Sequence, residues 1–466
     1  MNFIHLNLRN YPLIVFLAIC LTSIAISCED FVEVDPPNNQ LTGETIFSNA
    51  TTANTAFVNI YGKLRDNALT TGGLAGLPYL MGLYTDELEL FNQNLQQQEF
   101  YSNNVTPSNF LIQNLWNESY NLIYATNTII KGVENSNSLS LEDRERFLGE
   151  AYFTRAFIHF YLVNSFGTIP YIKTTDFLIN KNVTRDDIGS VYQNIIDDLI
   201  LSRSLLSQNE NTSITNLRPN QFTASALLSR VYLYTEQWQL ALNESEALIA
   251  NSNYTLNTDT EQVFFKTSNE TIWQYDSGQS SSNTLDAQTY IFTSSPPPNS
   301  ALAPNLVNSF EPNDQRFTDW LGSVSAGTDI WYYPFKYKLN TVTSATQECT
   351  IVFRLAEFYL IAAEANAQLG AISNGLNRLN AIRTRANLEP VTSTNTNSLL
   401  NAIYRERKIE LFTEMSHRFF DLKRTGRIDE QLSQIKPNWQ STDKLLPLPE
   451  SELILNTNLL PQNDGY

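Results

Sequence analysis

Three segments repeat one pattern of small and aromatic residues at three- and four-residue spacings, and that pattern limits the folds open to the chain. They read "RFLGEAYFTRAFIHFYLVNSFG" (146–167), "QFTASALLSRVYLYTEQWQLALNESEALIA" (221–250) and "FRLAEFYLIAAEANAQLGAISNGLNRLNAIRTRA" (353–386). Such spacing gathers the apolar side chains on one side of an α-helix, so each segment predicts amphipathic helix. The last two share a further plan of helix, short turn and second helix, with turns at "TEQW" (235–238) and "LGAIS" (369–373). Ala241 and Ala247 in one second helix are expected to play the role of Leu376 and Ile382 in the other. Small residues where two helices approach closely mark tetratricopeptide-like repeats, here irregularly spaced. One helical pair cannot bury its own apolar face, whereas stacked pairs share a core. The expectation is a mostly α chain on a tetratricopeptide-like helical-repeat scaffold.

No disulfide framework supplements that core. The chain has three cysteines, Cys20, Cys28 and Cys349, and two of them belong to its first 28 residues. Arg9 supplies a positive charge, Tyr11 to Ile26 carries none, and small Ala25 and Ser27 lead into Cys28. That order predicts a secretory signal over 1–27. The apolar run is short for crossing ~30 Å of hydrocarbon. "AISC" is similar to the lipobox of bacterial lipoproteins, with Ala25 where Leu is common, so Cys28 is expected to carry lipid as the mature N-terminus. Residues 28–466 then form the binding domain, anchored to a membrane through that lipid.

Charge narrows the partners. Thirty basic against 48 acidic residues give a formal charge of −18, which opposes binding to a phosphate backbone. No nucleic-acid partner is expected. Two loop-rich excursions interrupt the helices, at about 66–110 and 251–345. The second alternates β-like runs, "ETIWQYD" (270–276) and "DIWYYPFKYKL" (329–339), with "SSPPPNSALAP" (294–304), whose prolines exclude regular helix. Irregular segments on a rigid frame commonly carry binding functions. The tail, "IYRERKIELFTEMSHRFFDLKR" (403–424), reads as one charge-dense helix. Its Ile409, Leu411, Phe412, Phe419 and Leu422 are expected in the core, and its charges in intrahelical pairs.

In order along nearly the whole chain, "CEDFVEVDPPNNQLTGETIF", "YTDELE", "EAYFTRAFIHFYLVNSFGTIPYI", "ASALLSRVYLY", "FEPNDQRF", "RLAEFYLIAAEA", "LNAIRTRANL", "RERKIEL…HRFFDLKR" and "LLPLPESEL" resemble the SusD/RagB family of outer-membrane nutrient-binding lipoproteins. Glu29 and Asp30 also resemble the signal that sends such lipoproteins to the cell surface. The resemblance implies a SusD-like fold and a surface protein that captures glycan. It further implies delivery to a SusC-like TonB-dependent β-barrel transporter, with no enzymatic activity. Some relatives capture peptides instead.

The residues themselves offer two rivals. A tetratricopeptide-like adaptor would bind peptide. A helical-barrel glycosidase would need paired carboxylates, for which Asp86, Glu87 and Glu89 are the candidates. Neither His159 nor His417 has a His or Cys neighbour at ligand spacing, so no metal is expected. No phosphate loop, G-x-G-x-x-G or G-x-S-x-G occurs, and no cofactor is expected. Sugars present C–H faces and hydroxyls, so a site pairs aromatics with polar hydrogen-bonders. Two clusters outside the helices fit: Asp86, Phe91, Asn92 and Tyr101, and then Gln288, Tyr290 and Phe292. Trp273, Trp320 and Trp331 are assigned to the core.

Overall fold

The computed structural model describes residues 46–206 and 216–466, and Cys28 and the leader lie outside them. Among the described residues the chain is mostly helical. Helices α1 (Ala50–Asp66), α2 (Leu77–Tyr84), α3 (Leu95–Tyr101), α4 (Phe110–Asn135), α5 (Leu141–Phe166) and α6 (Ile188–Leu205) precede two helical pairs. The first pair is α7 (Gln221–Tyr234) with α8 (Trp238–Ile249). A short α9 (Leu285–Tyr290) lies in the second excursion. The second pair is α10 (Leu355–Gln368) with α11 (Ile372–Arg385), followed by α12 (Thr396–Glu410) and α13 (His417–Arg424). Consecutive long helices pack as neighbours, and α8 lies on α10, so the two pairs stack.

Both pairs turn where the sequence predicts, but the repeat is in a different register. The second helices bury Ala241, Ser245 and Leu248 in α8, and Gly375, Leu379 and Ile382 in α11. Each set follows an i, i+4, i+7 pattern. Ala247 is exposed and Leu376 only partly buried. Small residues sit where the helices touch: Ser229 and Ser245 share a 2.7 Å hydrogen bond across the first pair. In the second, a Cβ at Gly375 would meet the Ala363 carbonyl at 3.0 Å. Ala356, Leu360, Ala363, Leu379, Ile382, Leu399 and Ile403 form a separate apolar cluster among α10, α11 and α12.

Three two-stranded antiparallel ribbons form, and every strand but the last comes from the excursions. β1 (Leu88–Leu90) pairs with β3 (Ser300–Leu302), β2 (Thr271–Gln274) with β6 (Ile351–Arg354), and β4 (Leu321–Ala326) with β5 (Asp329–Pro334). The first ribbon joins residues that are more than 200 apart and fastens one excursion to the other.

The tail is not one helix. It breaks after Glu410, where Thr413, Met415 and Ser416 take left-handed conformations, and resumes at His417. No Gly or Pro marks the break. Instead the Lys336 ammonium donates to the carbonyls of Glu410 and Phe412, each at 2.9 Å, and Arg354 Nη2 donates to the Glu410 carbonyl at 2.7 Å. Carbonyls captured by side chains no longer need the next helical turn. The expected intrahelical pairs largely give way to long-range ones, with Asp421 and Arg424 still paired along α13. Glu410 accepts from Arg316, Arg354 and Arg385, all buried, and Glu406 accepts from Arg316 and Arg383. Arg407 pairs with Asp421 at 2.7 Å. The apolar residues expected in the core are there: Ile409, Leu411, Phe412, Phe419 and Leu422 are all buried.

Candidate functional site

A polar cleft of about 290 Å3 opens where the end of α1 faces the segment 275–288. Arg65 spans its wall, bonded to both Asp66 carboxylate oxygens at 2.6 Å and to the Asp276 carbonyl at 2.7 Å. Gly278 permits this: its φ is +77°, and a Cβ there would lie 2.4 Å from the guanidinium. Tyr275 closes the floor, its hydroxyl 2.7 Å from that of Thr70. Cys349 lies beside it as an inert thiol, pushed up to about 11 by burial. Asp66, Gln279 and Gln288 are exposed at the mouth and Ser282 is half-buried there. The cleft therefore offers carboxylate, amide and hydroxyl groups to a polyhydroxylated ligand.

An aromatic ledge adjoins the other end of the segment 285–302. Along β5, Trp331 and Tyr333 project to the same side, because strand side chains alternate. Gly322, opposite Tyr333, lets the ring lie flat on the ribbon, since a Cβ there would sit 2.3 Å from it. Phe292 packs under Tyr333 at 4.9 Å between ring centres. Trp331 and Tyr333 stay half-exposed. The assignment of Trp331 to the core is thus corrected, whereas Trp273 and Trp320 are buried as expected.

The two predicted clusters are brought together by the β1–β3 ribbon. Phe91 N donates to the Asn299 carbonyl at 2.8 Å, immediately beyond the ribbon. The loop 70–76 ties them further: Gln97 Nε2 donates to the Leu74 carbonyl, and Gly72 packs against the Asp286 carboxylate. Not every predicted residue reaches solvent. Gln288 is exposed and Phe91 half-buried. Asn92 is committed to its turn, donating to Gln97 Oε1 at 2.8 Å and accepting from Asn94 N at 3.0 Å. Tyr101 is half-buried with the Lys436 ammonium 4.2 Å from its ring centre. Tyr290 and Phe292 are buried, Tyr290 against Tyr79 at 6.1 Å. Phe292 supports the ledge from beneath, and neither ring offers a face for stacking.

Asp86 is also buried. Arg418 donates to both its carboxylate oxygens at 2.7 and 2.8 Å, and Lys408 lies at 3.0 Å. Burial would raise this carboxyl, but Arg418 and Lys408 outweigh it and hold it well below the usual range. Burial pushes neighbouring Glu87 the other way, up to about 7, against the Thr413 N–H that donates to it at 3.1 Å. Neither carboxylate lines the polar cleft. Sequence reasoning missed Trp331, Tyr333, Arg65 and Asp66. The aromatic-rich run "DIWYYP" contained the signal for the first two.

Among the described residues, no His, Cys, Asp or Glu group is arranged to hold a metal ion, and no helix is long and apolar enough to cross a membrane. His159 is a core residue, stacked on Tyr171 at 3.8 Å and lowered to about 3 by burial.

Residues 30–233 match a SusD-like family described as starch-binding and associating with the outer membrane, and residues 316–466 match the SusD family. Two SusD-like proteins of Formosa agariphila, P2 and P25, are 27% and 24% identical over 97% and 94% of this chain, and 99% and 97% of theirs. The fold is similar to a crystal structure of a SusD superfamily protein from Bacteroides vulgatus, with a TM-score of 0.77 at 22% identity over 90% of this chain and 99% of that one. It is also similar to a laminarin-binding SusD-like protein, with a TM-score of 0.74 at 24% identity over 89% and 99%.

Proposed function

The chain belongs to the SusD/RagB family, and from that premise we propose that it is a cell-surface protein that captures oligosaccharide at the Gln288 cleft and the adjoining aromatic ledge. The observation that carries the reading is the pairing of these two surfaces along one segment, 285–302. The ledge offers Trp331 and Tyr333 to the C–H faces of sugar rings. The cleft offers Asp66, Gln279 and Gln288 to their hydroxyls. Hydrogen bonds that orient a ligand on an apolar platform are the usual division of labour in such sites. The starch-binding description of one matched family and the laminarin-binding neighbour support the same ligand class.

The captured chain passes to a SusC-like TonB-dependent β-barrel transporter, and lipid on Cys28 holds the protein at the outer membrane. Family membership supports both parts of this reading, as does the family's association with the outer membrane. Capture requires no catalysis, and the carboxylates of Asp86 and Glu87 are committed to Arg418, Lys408 and Thr413.

The test is a polysaccharide panel against the mature chain carrying Cys28→Ser, with Trp331→Ala and Gln288→Ala as paired variants. Binding of at least one neutral glycan, weakened in both variants with unchanged melting temperatures, is expected. Binding that both variants leave untouched would move the site elsewhere, and a blank panel would end the reading.

A further inference from the structure

A second and larger cleft, of about 650 Å3, opens between the loop 308–312 and helices α12 and α13. The chain as a whole carries a charge of −18, yet four cations line this one hollow: Arg405, Lys408, Arg418 and Arg427. Their partners account for only part of that charge. Lys408 and Arg418 share the single carboxylate of Asp86. Arg405 and Arg427 form no ion pair among the described residues, and Arg427 lies 5.1 Å from the Tyr404 ring centre. The carboxylates on the walls are held mainly by other groups, although the Arg405 charge also helps to lower Glu311. Glu311 is held by both guanidinium nitrogens of Arg383 at 2.7 and 3.0 Å, and Asp421 by Arg407 and Arg424. The surplus is therefore positive and faces open space.

Folding gives no reason to gather that surplus in one concavity, because solubility is served as well by dispersed charge. Guanidinium forks match carboxylate and sulfate groups geometrically. Asn308, Asn401 and Gln431 stand among the cations with amides suited to hydroxyls. Over Phe310, Glu311 and Pro312 the cleft adjoins a second hollow of about 540 Å3. A trough of that extent suits an elongated chain better than a free ion. It also lies beyond the opposite end of the β1–β3 ribbon from Phe91 and Asn299. Phe91 and Asn299 follow the Leu90–Ser300 end, whereas Asp86 and Asn308 lie beyond the Leu88–Leu302 end.

We propose that this cationic cleft is a second saccharide site, selective for an oligosaccharide whose rings carry carboxylate or sulfate groups. Arg405 and Arg427 bind the anionic groups, Lys408 and Arg418 add the field of their shared surplus charge, and the amides take neighbouring hydroxyls. The proposal rests on the saccharide-binding reading and adds to it a charge class and a place.

The experiment titrates the mature chain carrying Cys28→Ser with hexagalacturonate, its methyl ester, a sulfated galactan hexamer and a neutral glucan hexamer. Each is measured at about 20 and about 200 mM salt, between which screening lengths differ roughly threefold. Tight binding of the uronate or the sulfated hexamer is expected, lost in the methyl ester where the uronate is the ligand, and weakened by salt. The double variant Arg405→Gln, Arg427→Gln should lose at least about tenfold in affinity for the anionic ligand, or 1.4 kcal/mol, with an unchanged melting temperature. Should that variant lose its folding transition, Arg405→Gln alone, at an exposed position, carries the test. Equal binding of hexagalacturonate and its ester with no binding of the sulfated hexamer overturns the proposal, as does wild-type affinity in the double variant. If the neutral hexamer binds and neither anionic one does, only this proposal falls. If no saccharide binds at all, the glycan-binding reading falls with it.

Discussion

Glu87 gives the most quantitative handle on this fold. It is 2% exposed, and its neighbours are the Thr413 N–H, Asp86, Arg418 and Lys336. Burial dominates and raises the carboxyl from 4.5 to about 7. A tenfold change in proton affinity is worth about 1.4 kcal/mol, so the raised value corresponds to ~3 kcal/mol of stability withheld when Glu87 ionises. The sign follows from proton counts. Below pH 4.5 the carboxyl is protonated in both states and costs nothing. Between 4.5 and about 7 the unfolded chain releases a proton that the folded chain keeps, so stability falls as pH rises. Above about 7 the whole penalty is present. Glu87→Gln keeps an oxygen for Thr413 and removes the ionisation. We expect the variant to match the wild type near pH 4 and to exceed it by up to ~3 kcal/mol near pH 8. Asp286, raised to about 6 by burial, tilts both proteins alike and cancels in the difference. Guanidinium midpoints across that range read the gap directly. A gap that does not grow with pH, or a variant less stable at pH 8, refutes the assignment of Glu87 as a buried, reluctant acid.

Other expectations separate surface from support. Tyr290→Ala should cost ~3–5 kcal/mol of stability as a buried aromatic, whereas Phe91→Ala should cost less and weaken saccharide binding. Melting curves and isotherms on the two variants decide, and the reverse pattern would exchange their roles. Cys28→Ala should leave the fold intact and release the protein from the outer membrane. A variant that still sediments with membranes contradicts lipid anchoring. Incubation with any bound glycan should release no reducing sugar, and saturable turnover abolished by Asp86→Ala would restore the hydrolase reading.

The scaffold was legible because helices announce themselves locally. The turns at 235–238 and 369–373 stand where small and aromatic periodicity is interrupted, and there α7 and α10 end and α8 and α11 begin. The start of α5 was missed by several residues although Ser140 caps it, accepting from Asp143 N at 3.1 Å. The repeat register was misread because Ala247 and Leu376 look as suited to a core as Ser245 and Leu379. Which small residue faces inward depends on the partner helix, and Ser245 is chosen by Ser229. The site was legible by region and not by residue. Tyr290 is covered by Tyr79, which lies more than 200 residues away in sequence, whereas Phe91 stays half-buried, and no local pattern distinguishes the two rings.

Charge was the least readable property, and the tail shows why. Arg405 and Arg407 are two residues apart on α12, about 200° around the helix axis. Arg407 is buried on Asp421, whereas Arg405 is exposed at the mouth of the cationic cleft. In sequence the two are indistinguishable, and a reading that treats polar residues as surface sends both outward. The core contradicts it, because the one carboxylate of Glu410 pairs with three buried arginines brought from 316, 354 and 385. Removing one member of such a set strands the others without solvent, so the set is retained as a unit. A charged residue here becomes evidence of binding only after its structural partners have been subtracted. Arg316, Arg354, Arg383, Arg385 and Arg407 are each paired with a carboxylate within the fold. Arg405 and Arg427 are left over, and what is left over faces a cleft.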